Sequence, residues 1–384
     1  MRAGQGIIVI SITLLMLGVI MVNSAGMRVS IEDPPMFKDM LLSRPTLLAF
    51  FAMIAMFIGS RFPIHLFERS LFRIPLILWL LPLSLLLLIA VYVPGIGKEV
   101  NSASRWVNIG GLTFQPSEIA KWSMVLVVAW WGATHLEHMK FYVRGFLLPI
   151  AIVGVITAII AVEDLGTAVL IFTTACVVFF AAGCRTLHFA SFLPVAVGGF
   201  MLAIYTSPYR LARLQTYLHP FDDPERSGYH ILQSMSTISS GGLSGLGLGN
   251  GTHKFGYLPE DTTDFIFSVI CEELGIFGAV AVASLFVGLV TMGVVVIHKT
   301  KDRFKRLLVL GIITTVGLQA AMNMLVVTAL VPTKGIALPL LSNGGTGWLL
   351  TALCIGLIDA IDRTNKPTTS MQEHRYPTAT ATHA

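Results

Sequence analysis

The sequence predicts an all-α integral membrane protein of about ten transmembrane helices, and three observations carry that expectation. Of its 384 residues, 54% are hydrophobic and only 12% are charged. Mean hydropathy is +0.77, which is more apolar surface than a water-soluble fold of this length can hide. The apolar residues fall in long runs, and roughly 20 of them in succession span the hydrocarbon core as a helix. The cations gather in short loops that alternate with loops of mixed sign, as the positive-inside rule requires.

The runs cover residues 7–23, 47–62, 74–93, 116–134, 146–162, 168–182, 189–207, 265–297, 307–331 and 347–361. The 265–297 run is longer than one crossing needs, so tilt, a kink or extension past the bilayer is expected there. Asn23-Ser24-Ala25 is a poor cleavage site, so the first run reads as a retained helix and not a signal peptide. With the amino terminus in the cytoplasm, Arg61, Arg69, Arg73, Lys140, Arg144 and the cluster Lys299, Lys301, Arg303, Lys305, Arg306 all lie inside. The opposite loops mix signs, with Lys98, Glu99 and Arg105 in one and Asp222, Asp223, Glu225 and Arg226 in another. An even number of spans places both termini in the cytoplasm. The net charge of +5 therefore reports topology and gives no reason to invoke nucleic acid. Cys176, Cys184, Cys271 and Cys354 fall in spans or at a cytoplasmic end, where neither a disulfide nor a zinc site is expected.

The organisation expected is one polytopic membrane domain over residues 1–362, with a Thr-, Pro- and Ala-rich cytoplasmic tail at 363–384 expected to be disordered. Two outer connections exceed a simple linker: residues 94–115, and a large extracytoplasmic loop at about 208–264 between spans 7 and 8. Arg105, Glu118, Lys121, Asp164, Arg210, Arg213, Glu260, Asp261, Asp264 and Lys334 all map to the outer face or just beneath it. No ATP or nucleotide-sugar is available on that side, so no nucleotide cofactor is expected. A group transfer there needs a donor with its own activated leaving group, and a membrane-delivered lipid-pyrophosphate sugar is such a donor.

Asp264 lies where the large loop meets a helix. It reads equally as a first-turn acid favoured by the helix dipole and as a general base for a sugar hydroxyl. A divalent cation, Mg²⁺ or Mn²⁺, held by Asp264 and Glu260 fits the same chemistry. At about 100° per residue, Ser268, Cys271 and Glu272 share a face with Asp264 while Glu273 points away, with Glu272 about 12 Å deeper. Glu272 and Glu273 read as structural polar groups, since a carboxylate at that depth must be paired, protonated or beside water. Asp164, between two spans with almost no loop, reads as a helix N-cap. The glycines of 245–251 are no dinucleotide fingerprint, because no βαβ unit contains them; close-packed re-entrant or interfacial backbone is expected. Arg105, Lys121, Arg213 and Lys334, with Glu118, are candidate pyrophosphate contacts, and Arg210 offers the same chemistry. Glu118 and Lys121, three apart, also suit a local pair.

The segments SRWVNIGGLTFQPSEIAK, EDLGTA, PYRLARLQTYLHPFDDPERSGYHILQS, GLGLGNGTHKFGYLPEDTTDFIFSVICEELG, QAAMN and VPTKGIALPLLSNGG together resemble the SEDS family (shape, elongation, division and sporulation). This is the family of the division protein FtsW and the elongation protein RodA. The resemblance runs almost end to end. It implies a peptidoglycan glycosyltransferase that polymerises lipid II into glycan strands at the outer face of the cytoplasmic (inner) membrane. It also implies that Asp264 is the essential acidic residue. The implied partners are a class B penicillin-binding transpeptidase and, for the division type, other divisome membrane proteins at the septum. Pro332-Thr333-Lys334-Gly335 resembles the FtsW form. Thr262, His230, Glu163 and Asn343 stand where histidine, glutamine, proline and tyrosine are common in the family. The readings that compete are a RodA-type elongation polymerase, a lipid II flippase and a divisome scaffold.

Overall fold

Helices occupy every one of the ten apolar runs. The computed structural model describes residues 1–26, 42–72, 74–100, 103–110, 112–225, 228–252 and 262–365. Among them the helices are α1 (Ala3–Gly26), α2 (Arg44–Arg61), α3 (Leu80–Ala90), α4 (Pro116–Thr134), α5 (Leu148–Glu163) and α6 (Leu165–Ala181), followed by α7 (Thr186–Tyr205), α8 (Pro208–Leu218), α9 (Tyr229–Ser240), α10 (Ile266–Lys299), α11 (Arg303–Val327) and α12 (Thr346–Thr364). Six of the helices are long and apolar enough to cross a membrane, and two more, at Leu76–Ala90 and Leu165–Ala181, are apolar but shorter. Glu260, Asp261, Arg73, Arg226 and the tail from 366 onward lie outside the described residues.

The helix ends follow local chemistry. Pro116 opens α4 at its first turn, where its missing N–H and fixed φ cost nothing. Ser43 caps α2 by accepting from Thr46 N, and Asp302 caps α11 by accepting from Lys305 N. Between α5 and α6 a single residue, Asp164, reverses the chain.

The bundle is built around α4, which is buried on nearly every face and touches α3, α6, α11 and α12. Elsewhere α2 packs along α12 at a small-residue crossing. A Cβ on Gly59 would strike the Leu353 carbonyl, and one on Gly356 would strike the Met56 carbonyl. Small residues let helix backbones approach this closely where lipid supplies no hydrophobic drive to association. By contrast α7 buries only His188, so its apolar side chains face outward.

The outer connections are structured, which apolar periodicity did not reveal. Residues 94–115 carry a three-stranded antiparallel sheet, β3 (Gly97–Val100), β4 (Ala103–Ile109) and β5 (Leu112–Phe114), in the order β3-β4-β5, after a short hairpin of β1 (Ser70–Leu71) and β2 (Ile74–Pro75). The all-helical expectation is corrected to that extent. The large loop holds α8 and α9 and then turns, through glycines with positive φ at 242, 245, 247 and 249, back onto α10.

That contact explains the length of α10. Gly275 has φ 66 and breaks the helix, leaving 276–299 to run roughly 36 Å at 1.5 Å per residue. The glycine-rich loop lies against the break: Leu246 N donates to the Glu272 carbonyl at 2.9 Å, Gly247 N to the Glu273 carbonyl at 2.9 Å, and Ile276 N to the Gly242 carbonyl at 3.1 Å. A Cβ on Gly251 would sit 2.7 Å from Glu272 Oε2, so only glycine permits the approach.

Candidate active site

Eighteen residues join α11 to α12 before the final span, and this connection organises the site. It re-enters the bundle, since a Cβ on Gly18 would lie 2.7 Å from the Leu340 carbonyl. Gly18 is eight residues before the end of α1, about 12 Å below it. Irregular backbone at that depth is tolerated only when protein surrounds it, and Leu338, Leu340 and Leu341 are buried. Leu340 itself holds φ 63, a strained setting for a branched side chain.

Along this segment, successive residues meet the polar groups singled out in the sequence. The Thr333 carbonyl accepts from Arg213 Nη1 at 3.0 Å. Lys334 lies over the Phe200 ring at 5.5 Å, within electrostatic reach of Asp164 and Arg210. Gly335 presents its Cα face to Asp264: a Cβ there would lie 2.7 Å from Asp264 Oδ2. The Ile336 carbonyl accepts from Asn323 Nδ2 at 2.7 Å, and the same amide donates to the Asp264 carbonyl at 2.7 Å. The Ala337 carbonyl accepts from Gln319 Nε2 at 2.8 Å. Finally Asn343 N donates to the Thr262 carbonyl at 2.9 Å, closing the connection against the turn that carries Asp264.

Asp264 is half-buried in that turn, just ahead of α10. Lys334 is mostly enclosed, and burial pushes its ammonium below the ordinary lysine range; Asp164 pulls it back up, and Arg210 presses it further down.

Lys121 is only 1% exposed and bonds Glu118 Oε1 at 2.7 Å and Gln319 Oε1 at 2.9 Å. The pair expected from their spacing is thus one end of a buried chain: Glu118, Lys121, Gln319 and the Ala337 carbonyl. Its place is beneath the surface, supporting the re-entrant segment. Gln319 and Asn323 were not singled out by sequence reasoning as site residues. Polar side chains four apart in an apolar span, QAAMN, were the available signal.

Two of the arginines serve a helix end. Arg105 Nη2 donates to the Glu163 carbonyl at 2.6 Å. Arg210 Nη2 donates to the Val162 carbonyl at 2.7 Å and to that of Ala161, while its Nη1 reaches the Ala203 carbonyl at 2.9 Å. The carbonyls of 161–163 are the last of α5, orphaned by the helix end and partly negative. Asp164 caps α6, accepting from Thr167 N at 3.0 Å and Thr167 Oγ1 at 2.8 Å.

Glu272 and Glu273 are fully buried and hold the glycine-rich loop. Glu273 accepts from Ser24 Oγ at 2.8 Å and Gly249 N at 3.1 Å, and Glu272 accepts from Thr252 N at 2.8 Å. Ser24 is two residues from the end of α1, so Glu273 ties the glycine-rich loop to that helix end.

A loop that folds back into a helical bundle beneath an outer carboxylate narrows the comparison with known proteins. Residues 5–367 match the FtsW/RodA/SpoVE family, described as cell cycle proteins. The chain belongs to that family.

Its relatives include a probable peptidoglycan glycosyltransferase FtsW of Geobacter sp. strain M18, 37% identical over 358 residues, covering 92% of this chain and 94% of the relative. Stage V sporulation protein E of Bacillus subtilis strain 168 is 33% identical over 360 residues, covering 93% and 96%. Among solved structures, a chain from work on the structural coordination of polymerization and crosslinking by a peptidoglycan synthase complex superposes with TM-score 0.72 at 26% identity, covering 94% of this chain and 98% of that one. The Thermus thermophilus rod shape determining protein RodA superposes with TM-score 0.63 at 25% identity, covering 94% and 97%. As a family member with several bilayer-length apolar helices, the chain is a multi-pass membrane protein.

Proposed function

We propose that this family member is a division-type peptidoglycan glycosyltransferase that polymerises lipid II into glycan strands at the outer face of the cytoplasmic membrane. Its relatives named FtsW support the reaction class, and Pro332-Thr333-Lys334-Gly335 supports the division type. The observation that carries the mechanism is the setting of Asp264, whose Oδ2 lies against Gly335, the residue that follows Lys334 in the chain. A base and a phosphate-binding cation are thereby offered by adjoining backbone.

In this reading Asp264 takes the proton from the acceptor sugar hydroxyl as that oxygen attacks the anomeric carbon of the donor. The bond to pyrophosphate breaks, and undecaprenyl pyrophosphate leaves with the electron pair. One displacement inverts the anomeric centre, turning α-linked lipid II into β-linked glycan. Lys334 and Arg213 meet the leaving charge. Arg105 contributes through nitrogens other than the Nη2 it gives to Glu163, and Lys121 and Glu118 act by positioning the re-entrant segment. Mg²⁺ binds through one or two carboxylates and completes its shell with substrate phosphates and water. Asp264, with Glu260 beyond the described residues, supplies a donor set of that kind, and the bound ion would neutralise pyrophosphate charge.

Ten crossings with both termini in the cytoplasm are part of the proposal. Helices at all ten apolar runs and the inward clustering of cations support it. So is the division into a membrane domain over 1–362, carrying the outer loop at 208–264, and a cytoplasmic tail at 363–384. A class B transpeptidase partner is proposed from the similarity to a chain of a synthase complex that couples polymerization to crosslinking. Other divisome membrane proteins and a septal location follow from the division type.

The test is lipid II polymerisation by purified protein, with and without the transpeptidase, comparing wild type with Asp264→Asn. Glycan from wild type and none from the variant, at equal melting temperature and partner binding, is expected. Equal glycan from both removes Asp264 as the base, and none from either, with partner present, turns the reading toward a flippase or scaffold.

A further inference from the structure

At the end of the molecule away from Asp264, the first residues of α1 and the last turns of α2 and α12 enclose a cavity of about 800 Å³. Its chemistry divides sharply. One end is cationic, with Arg2, Arg61 and Arg363; the other is apolar, lined by Ile8, Val9 and Ile12 of α1 and Met53 and Phe57 of α2.

The anions at this end are tied to neighbouring groups, although Asp359 Oδ1 is left without a hydrogen-bond partner. Asp359 Oδ2 accepts from Arg363 Nη2 at 2.6 Å and from Ser60 Oγ at 2.9 Å, and Arg363 Nη2 also donates to the Ser60 carbonyl at 2.8 Å. Asp362 accepts from Gly4 N at 3.0 Å. These bonds tie α1, α2 and α12 together and leave the other cations uncompensated. Among the described residues neither Arg2 nor Arg61 makes an ion pair. Arg61 rests over the Phe57 ring at 5.0 Å, and Arg2 Nη1 is enclosed without a hydrogen-bond partner. An enclosed guanidinium nitrogen with nothing to donate to calls for an acceptor.

A neutral lipid chain alone would fill the apolar part and leave that requirement unmet. A free anion would meet it and leave the apolar wall to water. We infer that this cavity binds one anionic membrane phospholipid, its phosphate held between Arg2 and Arg61 and an acyl chain laid along α1 and α2. Volume and lining match the usual ligand site, mostly apolar with a few placed polar groups, and clusters of arginine at a membrane surface select anionic headgroups. With the orientation proposed above, the lipid comes from the cytoplasmic leaflet; the site itself does not depend on which partner or reaction serves the opposite face.

The test uses the full chain, delipidated in detergent. Native mass spectrometry and thermal shift are recorded with dioleoyl phosphatidylglycerol, with dioleoyl phosphatidylcholine, and with inorganic phosphate. Wild type should retain one phosphatidylglycerol in preference to phosphatidylcholine. Arg2→Gln/Arg61→Gln should hold it at least about tenfold more weakly, since each charge-assisted bond lost is worth roughly a factor of ten. Ile12→Trp, which fills the apolar wall and keeps the cations, should weaken it as well, so the inference can be tested even if the arginine variant folds poorly. Equal retention of the two lipids, or wild-type affinity in both variants, overturns it. Protection by inorganic phosphate as strong as by phosphatidylglycerol also overturns it, in favour of a soluble-anion site.

Discussion

The side-chain amide of Asn323 donates to the backbone carbonyl of Asp264 at 2.7 Å. The same nitrogen donates to the Ile336 carbonyl, so one buried group on α11 sets the spacing between the proposed base and the re-entrant segment carrying Lys334. Asn323→Leu keeps the volume and removes both bonds. Polymerisation should drop about 10- to 100-fold in kcat, the scale of a misplacement near 1 Å, with KM for lipid II little changed. A variant with full kcat would show that Asp264 is placed by other contacts.

Gly335→Ala tests the same geometry from the other side. Its Cβ would lie 2.7 Å from Asp264 Oδ2, so the carboxylate must turn away and glycan synthesis should fall by at least about tenfold. Gly154→Ala is the control, since a Cβ there meets nothing within 4 Å. Activity unchanged at both positions would mean the carboxylate is not used where it stands.

Lys334 binds phosphate only as the ammonium, and burial lowers its pKa. The alkaline limb of kcat/KM, which reports the free enzyme, should therefore begin below the usual lysine value of about 10.4. Lys334→Arg should shift that limb to higher pH. Asp164→Asn removes the neighbour that holds the charge in place and should shift it lower. A limb insensitive to both changes would assign it to another group.

Arg210 and Arg213 differ in task although three residues apart. Arg210 serves the α5 carbonyls, so Arg210→Gln should cost stability, about 1–3 kcal/mol for carbonyls left without a donor, read as a lower melting temperature. Arg213→Gln should instead lower kcat and kcat/KM for lipid II with the melting temperature nearly intact, the signature of a lost transition-state interaction. The reverse pattern would exchange their assignments.

Glu273→Ala removes the acceptor for Ser24 and Gly249. The protein should melt earlier, while polymerisation per folded molecule should survive to within a few-fold. Complete loss of activity in folded protein would give Glu273 a role in the reaction.

Much of the fold was legible in the chain because membrane crossing is a local requirement. A run such as 116–134 announces itself by its own residues, and α4 occupies that same range. Polar groups at an outer boundary are legible for the same reason, and Asp164 at a one-residue joint between two spans could be read as a cap from its neighbours alone. The sheet over 97–114 was not, because its strands are short and their pairing decides them.

By itself, then, the sequence determined the membrane class and the helical runs, since each is a sum over neighbouring residues. Only the tertiary structure decided what each charged group does. Arg105 meets a carbonyl 58 residues away, Lys121 a glutamine 198 away, and Arg213 a carbonyl 120 away. The physical reason is that a cation is assigned by whichever acceptor the packing brings within about 3 Å, and for Arg105 and Arg213 that acceptor is a backbone oxygen no side-chain pattern can announce.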